Sequence, residues 1–357
     1  MALINPTTLK PRLMKSALNT LYYSGLYRLL EKEWRGVGAI FTLHHVRNDG
    51  DAPGFAPNRI LDVTTDFLDA TLTQVRQAGY DIVSLDEVHR RLREQDFSRR
   101  FVAFTLDDGY LDNYRLAWPV FKRHGAPFTV YVATAFPDGE ALLWWEILER
   151  IIAAQPRLTV ELDGRTSHFD TATTAGKYAA WDTIYRALRR MPETAQRTTV
   201  ARLAEQYAVD TRAHCRAQSM SWEILRELAT DELVTIGAHT VNHYALAKLP
   251  EAAVIEEVTR SREIIEQRIG QRPEHFSYPY GDERSAAGRE FRLVESLGFK
   301  TATTTRKAML YPEHADHLTA LPRISLNGEY QSPHYTRLFL SGAPFALSNR
   351  FQRLVVN

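Results

Sequence analysis

The feature that most constrains the fold is an alternation. From residue 37 to the end, short β-branched and aromatic runs take turns with amphipathic segments of helical period, the pattern of a parallel sheet or barrel with helices outside it. Residues 37–45 form the first run and end in Thr42-Leu43-His44-His45. Thr65 is placed to cap a helix through Phe67, Leu68, Leu72 and Val75 that stops at Ala78-Gly79, and residues 81–84 read as a strand. Ser84-Leu85-Asp86-Glu87 has capping-box spacing for the next helix. Residues 100–106 make a strand that runs into Asp107-Asp108-Gly109, followed by a helix over 116–123 and a strand over 128–132.

The period changes over 138–220, where helical stretches surround one hairpin-like piece. That span is too long for a plain loop. We expect it to have its own folded structure and to form a lid or side wall. The alternation then resumes with strands over 233–238, 275–278 and 300–304, each preceded by a helix, and a last strand over 318–326. Residues 1–35 are read as an N-terminal amphipathic arm, 36–345 as the barrel with its insertion, and 346–357 as a tail.

Composition narrows the function classes. Hydrophobic residues make up 44% and charged residues 24% of the 357-residue chain, values of an ordinary globular protein. Lys and Arg number 44 against 43 Asp and Glu, a formal charge of +1, which offers no general electrostatic case for nucleic acid. Cys215 is the single cysteine, so no internal disulfide forms and any metal site must be built from His and carboxylates. No stretch reaches the ~18–20 apolar residues of a spanning helix, and the N-terminus lacks the apolar core of a secretory signal. The expected location is cytoplasmic. Within residues 9–35, Leu13, Ala17, Leu21, Leu26, Leu29 and Leu30 alternate with bases. This arm either docks on the core or on a second subunit, the preferred reading, or lies on the inner membrane face as a peripheral contact.

Four strand ends gather polar residues where an α/β barrel builds its active site: His44-His45, Asp107-Asp108, His239 with His243, and Pro279-Tyr280-Gly281. If the chain turns helically after the strand, His239 and His243 fall on one side and reach one metal. Asp108 would complete a two-His-one-carboxylate set, and Asp107 would stand beside the metal as general base. Such a site suits hydrolysis of an acyl group. His44 or His45 is placed to protonate the leaving atom. The Pro279-Tyr280-Gly281 turn would present a backbone amide as oxyanion donor and a ring as one wall. Trp144 and Trp145, with Tyr280, are candidates to stack on a sugar; Trp181 and Trp222 are assigned to packing. His89, His124 and His214 fall on segments read as exposed. Residues 177–190 form a basic, partly apolar helix, most simply a solvated face, although a phosphate-bearing lipid carrier also fits it.

These motifs resemble the polysaccharide deacetylase family, the NodB-homology or carbohydrate esterase family 4 group. Thr105-Leu106-Asp107-Asp108-Gly109 is similar to the family's T-F-D-D-G, and His239-Thr240-Val241-Asn242-His243 matches H-[ST]-x-x-H in full. The resemblance implies a distorted (β/α) barrel and metal-dependent removal of acetyl groups, N-acetyl foremost, from a surface polysaccharide, an oligosaccharide or a lipid-linked precursor. It implies Asp107 as base, Asp108, His239 and His243 as metal ligands, and Zn²⁺ as the metal, with Co²⁺ and Ni²⁺ as alternatives. The third motif, R-x-P-[FY], falls on Ser277-Tyr278-Pro279-Tyr280, so its arginine is Ser277 here. The last motif's histidine has no counterpart. Some members carry the acid on a first strand ending in Y-H-x-V, which Leu43-His44-His45-Val46 resembles, singling out His44. Arg323 is expected to replace the lost arginine beside Asp107. Two other classes stay open: a catalytically silent glycan-binding or assembly protein on this fold, and a metal-independent amidohydrolase.

Overall fold

The computed structural model describes the backbone of residues 6–48, 50, 54–162 and 164–355, with side chains from residue 13 onward. The first residues of the 9–35 stretch, Leu9, Lys10 and Arg12 among them, lie outside the described side chains. Eight parallel strands carry the fold: β1 (Gly38–Leu43), β2 (Asp81–Ile82), β3 (Phe101–Leu106), β4 (Phe128–Val132), β5 (Val234–Ala238), β6 (His275–Ser277), β7 (Thr301–Thr303) and β8 (Ile324–Ser325). Their order is β7-β6-β5-β4-β3-β1-β8, with β2 beside the start of β3. β1, β3 and β4 are buried at every position, as parallel strands are when covered on both faces.

The sheet closes on itself at one seam. Leu321 N–H donates to Ala302 O and Thr304 N–H to Leu321 O, both at 2.9 Å, while Leu326 N–H donates to Thr42 O at 2.9 Å. The short segment around β8 therefore touches β7 on one side and β1 on the other. The alternation pointed to a parallel sheet or barrel, and this is the distorted (β/α) barrel that the resemblance implied. The final strand is shorter than read, because residues Leu318–Ala320 turn as a 3₁₀ helix before it.

Local capping follows the sequence with one shift. Thr64, not Thr65, caps the helix Thr65–Gln77, its hydroxyl accepting from Phe67 N–H at 3.1 Å. Ser84 caps Leu85–Glu94 as expected, accepting from Glu87 N–H at 3.3 Å. A short parallel pair, His45–Arg47 with Asp62–Thr64, was not foreseen. Nor was the wide π turn Asn113–Ala117, which follows the Asp107-Asp108-Gly109 loop.

The 138–220 span folds as a helix Trp144–Ala154, an antiparallel hairpin Arg157–Leu162 with Arg165–Asp170, and helices Thr174–Arg190, Glu193–Gln206 and Thr211–Gln218. It has its own apolar core, in which Trp144, Ile147, Leu148, Ile151, Leu158, Ile184, Leu188 and Val200 are buried together. Each such side chain contributes about 1.5–3 kcal/mol, enough to hold the span as structure. The N-terminal arm is two helices, Pro6–Tyr23 and Tyr27–Trp34, broken at Ser24-Gly25. Leu18, Leu21, Tyr27 and Trp34 are buried on the barrel's core, and Asn19 Oδ1 accepts from Tyr335 Oη at 2.7 Å. Leu13, Leu26 and Leu29 remain exposed. At the other end, the helix Ala343–Ser348 runs across the boundary drawn at residue 345. Among the described residues, no helix is long and apolar enough to cross a membrane.

Candidate active site

The C-terminal ends of β3, β5 and β6 bring the acidic pair and the two histidines into one buried group. Asp108, His239 and His243 offer ligand atoms that all lie within 4.8 Å of one another. Asp108 Oδ1 is 3.4 Å from His239 Nε2 and 3.2 Å from His243 Nε2. His239 Nδ1 lies 2.7 Å from Ser277 O. A carbonyl only accepts, so Nδ1 carries the proton and Nε2 turns a lone pair toward Asp108. Asp108 Oδ1 is buried and accepts no hydrogen bond. A lone pair facing an unpartnered buried carboxylate oxygen is repulsive unless a cation sits between them, and the donor set fits a divalent metal.

The histidine spacing works by a different geometry from the helical turn expected. Residues 239–245 form no helix. Thr240 and His243 instead take left-handed backbone angles, φ +65° and +56°, and the two rings lie 4.9 Å apart. Asp108 (φ +76°) and Tyr280 (φ +62°) are left-handed too. Such angles are uncommon outside glycine and cluster where surrounding structure over-determines them. Here Glu257 supplies much of that support: its carboxylate accepts from Val241 N–H (3.0 Å), Asn242 N–H (2.9 Å) and Asn242 Nδ2 (2.6 Å). From the insertion, Arg197 donates to Asn242 O at 2.8 Å. Neither residue left a trace in the sequence pattern, because both act across the fold.

Arg323 meets Asp107 as a two-pronged fork, Nη1 to Oδ1 at 2.7 Å and Nη2 to Oδ2 at 2.6 Å. Its remaining N–H groups go to Thr105 Oγ1 (3.0 Å), Ser277 Oγ (2.9 Å) and Thr304 O (2.9 Å). All five donors of this fully buried guanidinium are thus satisfied. Ser277, at the position where the family motif has arginine, accepts from Arg323. Burial alone would push the Asp107 carboxyl up, but the fork outweighs it and holds the group below its ordinary range.

The two neighbouring histidines part company. His44 is half-buried on the cleft, its Nε2 3.9 Å from Asp107 Oδ2, and burial pushes it below the ordinary imidazole range. The π turn anchors its backbone, since Asn113 Nδ2 donates to His44 O at 2.7 Å. His45 points away and stacks on Tyr110 at 3.7 Å. It is hydrogen-bonded to Asp112 (2.6 Å) and lies 3.7 Å from Glu146. His214 also joins this cluster, 2.7 Å from Glu146, so it is not the exposed residue expected.

The cleft above these groups has a volume of about 730 Å³. Trp145, Tyr185 and Tyr280 supply its aromatic surface. Trp144 does not reach it: the ring is fully buried and its Nε1–H donates to Tyr280 Oη at 2.8 Å. Pro279 is buried as well and is absent from the cleft lining. Its role is in the turn, where Gly281 (φ +61°) comes so close to Thr305 that a side chain would strike the Thr305 amide. The end of the helix Thr174–Arg190, expected as a solvated face, puts Arg186, Arg189 and Arg190 on the cleft.

A sequence profile described as Polysaccharide deacetylase matches residues 168–302, a span that holds His239 and His243 and begins after Asp107 and Asp108. A comparison with curated proteins by sequence finds no match. Among solved structures, the chain is similar to a Streptococcus pyogenes deacetylase, PplD, in complex with acetate (TM-score 0.55, 17% identity, 85% of this chain and 97% of that one). It is similar also to IcaB from Ammonifex degensii (0.52, 18%, 86% and 96%) and to a de-N-acetylase from Aggregatibacter actinomycetemcomitans (0.54, 13%, 84% and 99%). At these identities the structures establish the shared fold. The profile match over 168–302 and the shared fold thus agree in likening the chain to polysaccharide deacetylases.

Proposed function

We propose that this protein is a metal-dependent hydrolase that removes N-acetyl groups from a sugar of a glycan, as a surface polysaccharide, an oligosaccharide or a lipid-linked precursor. The observation that carries the reading is the buried Asp108, His239 and His243 set lying next to an Asp107 carboxylate forked to Arg323.

Asp108, His239 and His243 would hold the metal, Zn²⁺ foremost with Co²⁺ and Ni²⁺ as alternatives, which when bound lowers the pKa of water and polarises the acetyl carbonyl. Asp107 accepts the proton of the attacking water. Arg323 keeps that carboxylate ionised and aims it, since both oxygens are fixed by the fork. His44 donates a proton to the departing sugar nitrogen as the carbon–nitrogen bond breaks, giving a free amine and acetate. The Tyr280 amide is the proposed donor to the developing oxyanion, and the rings of Tyr280 and Trp145 form the sugar wall.

A silent binding protein was credible because one arginine and one histidine of the family motifs are missing. What favours catalysis is that a guanidinium and an imidazole stand beside Asp107 all the same, from other places in the chain. A cytoplasmic site of action belongs to this reading, with exposed Leu26 and Leu29 beside Arg28 and Lys32 as the surface for peripheral membrane contact. The test is acetate release from N-acetylated oligosaccharides by the purified protein, abolished by a chelator and restored by Zn²⁺, Co²⁺ or Ni²⁺. Release that ignores the chelator would point to the metal-independent amidohydrolase. Binding without release would point to the silent protein.

A further inference from the structure

We infer that the substrate carries a negative charge close to its acetylated sugar, and that Arg186, Arg190, Arg284 and Lys307 recognise it. The inference rests on the deacetylase reading of the cleft and adds the class of sugar, an anionic glycan.

The charge is local. The whole chain is nearly neutral, 44 basic residues against 43 acidic, yet six Lys and Arg line this cleft: Arg186, Arg189, Arg190, Lys248, Arg284 and Lys307. Against them stand Asp107, already paired with Arg323, Asp108 in the metal set, and Asp282. Two of the six are committed within the protein. Lys248 Nζ donates to Arg189 O and Met191 O and pairs with Glu193, while Arg189 pairs with Asp282 and stacks on the Tyr280 ring at 3.7 Å. Arg186 has only an exposed partner one helical turn away, Asp182, a contact worth little in water. Among the described residues, no carboxylate pairs with Arg190, Arg284 or Lys307. These cations come from the insertion helix and from the loops after β6 and β7, so no single basic run in the sequence explains their meeting.

The rest of the lining includes the uncharged Thr42, Asn58, Ile60, Leu61, Ser325 and Asn327. A concave surface with one sign of charge on one wall concentrates field on a ligand of the other sign. Position sets the distance: His243 and Tyr280 have ring centroids 4.8 Å apart, and the Arg189 guanidinium lies 3.7 Å from the same Tyr280 ring. The cationic wall thus begins one aromatic ring away from the metal ligands, which puts the anion about one sugar unit from the acetyl group. A uronate carboxylate and a sugar phosphate or diphosphate share the required chemistry.

The experiment compares acetate release from four probes at low salt and at about 1 M salt, where the Debye length shrinks to ~3 Å. These are a neutral chito-oligosaccharide, an oligosaccharide alternating N-acetylhexosamine with uronic acid, N-acetylglucosamine 1-phosphate and UDP-N-acetylglucosamine. Their equilibrium binding is measured on Asp107→Asn protein, or on His44→Ala should the first variant unfold. At least one anionic probe should be preferred roughly tenfold over the neutral one, with the preference lost at high salt; which probe wins separates carboxylate from phosphate. The triple variant Arg190→Gln/Arg284→Gln/Lys307→Gln should raise KM for that probe to the neutral value and leave its kcat. Equal handling of neutral and anionic probes, or a triple variant that loses both alike, overturns the inference. Salt-sensitive anion binding without acetate release would instead sink the deacetylase reading and leave this one standing.

Discussion

On the floor of the cleft, Arg323 is fully buried and every one of its N–H groups has an acceptor; on the wall, Arg190, Arg284 and Lys307 are exposed and none is paired with a carboxylate. Both are basic residues near one cavity, Arg323 beneath its floor and the other three on its lining, and their surroundings give them different work. A guanidinium held on all sides cannot adapt to a ligand, so it serves to fix another group, here the Asp107 carboxylate. An exposed cation with no partner has no fixed geometry, but its field reaches into the cleft. On the reading proposed above, the floor serves the reaction and the wall serves recognition of the substrate.

If this division is right, substitutions on the floor should cost rate and stability, and those on the wall should leave both nearly untouched. The largest effect belongs to the metal set: His239→Ala should lower kcat/KM for acetate release by about 10³-fold or more, with metal content by elemental analysis falling in step. Retained activity in that variant would break the account of the floor. Arg323→Ala leaves a buried carboxylate without its counter-ion and should destabilise the protein by about 3–5 kcal/mol, read from denaturant unfolding. Arg323→Lys, which keeps the charge and loses the fork, should recover only part of that.

His44→Ala sharpens the comparison from within the floor. Its kcat should drop about 10²-fold while Tm hardly moves, because the side chain is 20% exposed and only approaches Asp107 at 3.9 Å. A smaller effect tests the cluster behind Tyr110. Burial opposes charge on His45, but the hydrogen bond to Asp112 and the nearby Glu146 carboxylate outweigh it and push the imidazole up from 6.5 to about 10. The resulting stability is fully present below about pH 6.5 and is lost as the pH rises toward about 10. Glu146→Gln should therefore destabilise by about 1–2 kcal/mol near pH 6, with the deficit narrowing above neutrality; a deficit that widens with pH would refute the assignment. Smallest of all, Arg186→Gln should change stability by less than about 0.5 kcal/mol, and a larger loss would mean that the wall is structural after all.

The floor was largely legible in the sequence because its parts are short and local. Asp107 and Asp108 are adjacent, His239 and His243 are close in the chain, and each group ends a strand whose apolar run announces it. The partnership of Arg323 with Asp107 was expected from the resemblance, as a replacement for the arginine whose motif position Ser277 occupies. The detail that failed was geometric: the histidines meet through two left-handed residues and not through a helical turn, and only the support of Glu257 and Arg197 makes that backbone stable. Trp144 misled because a tryptophan pair at a helix start looks the same whether one ring or both reach the cavity. Its neighbour Trp145 lines the cleft, while its own Nε1–H is occupied by Tyr280. The wall was not legible at all. Arg190, Arg284 and Lys307 are separated by long stretches of chain, and nothing periodic links them until the barrel closes.

The seam where β8 joins β1 to β7 also sets an order of events. Arg323 sits beside that seam and arrives last in the chain, after Asp107, Asp108, His239 and His243 have all been made. Until it docks, the Asp107 carboxylate has no counter-ion and the sheet has two open edges. Docking of this one segment therefore completes the barrel and the charge balance around Asp107 together.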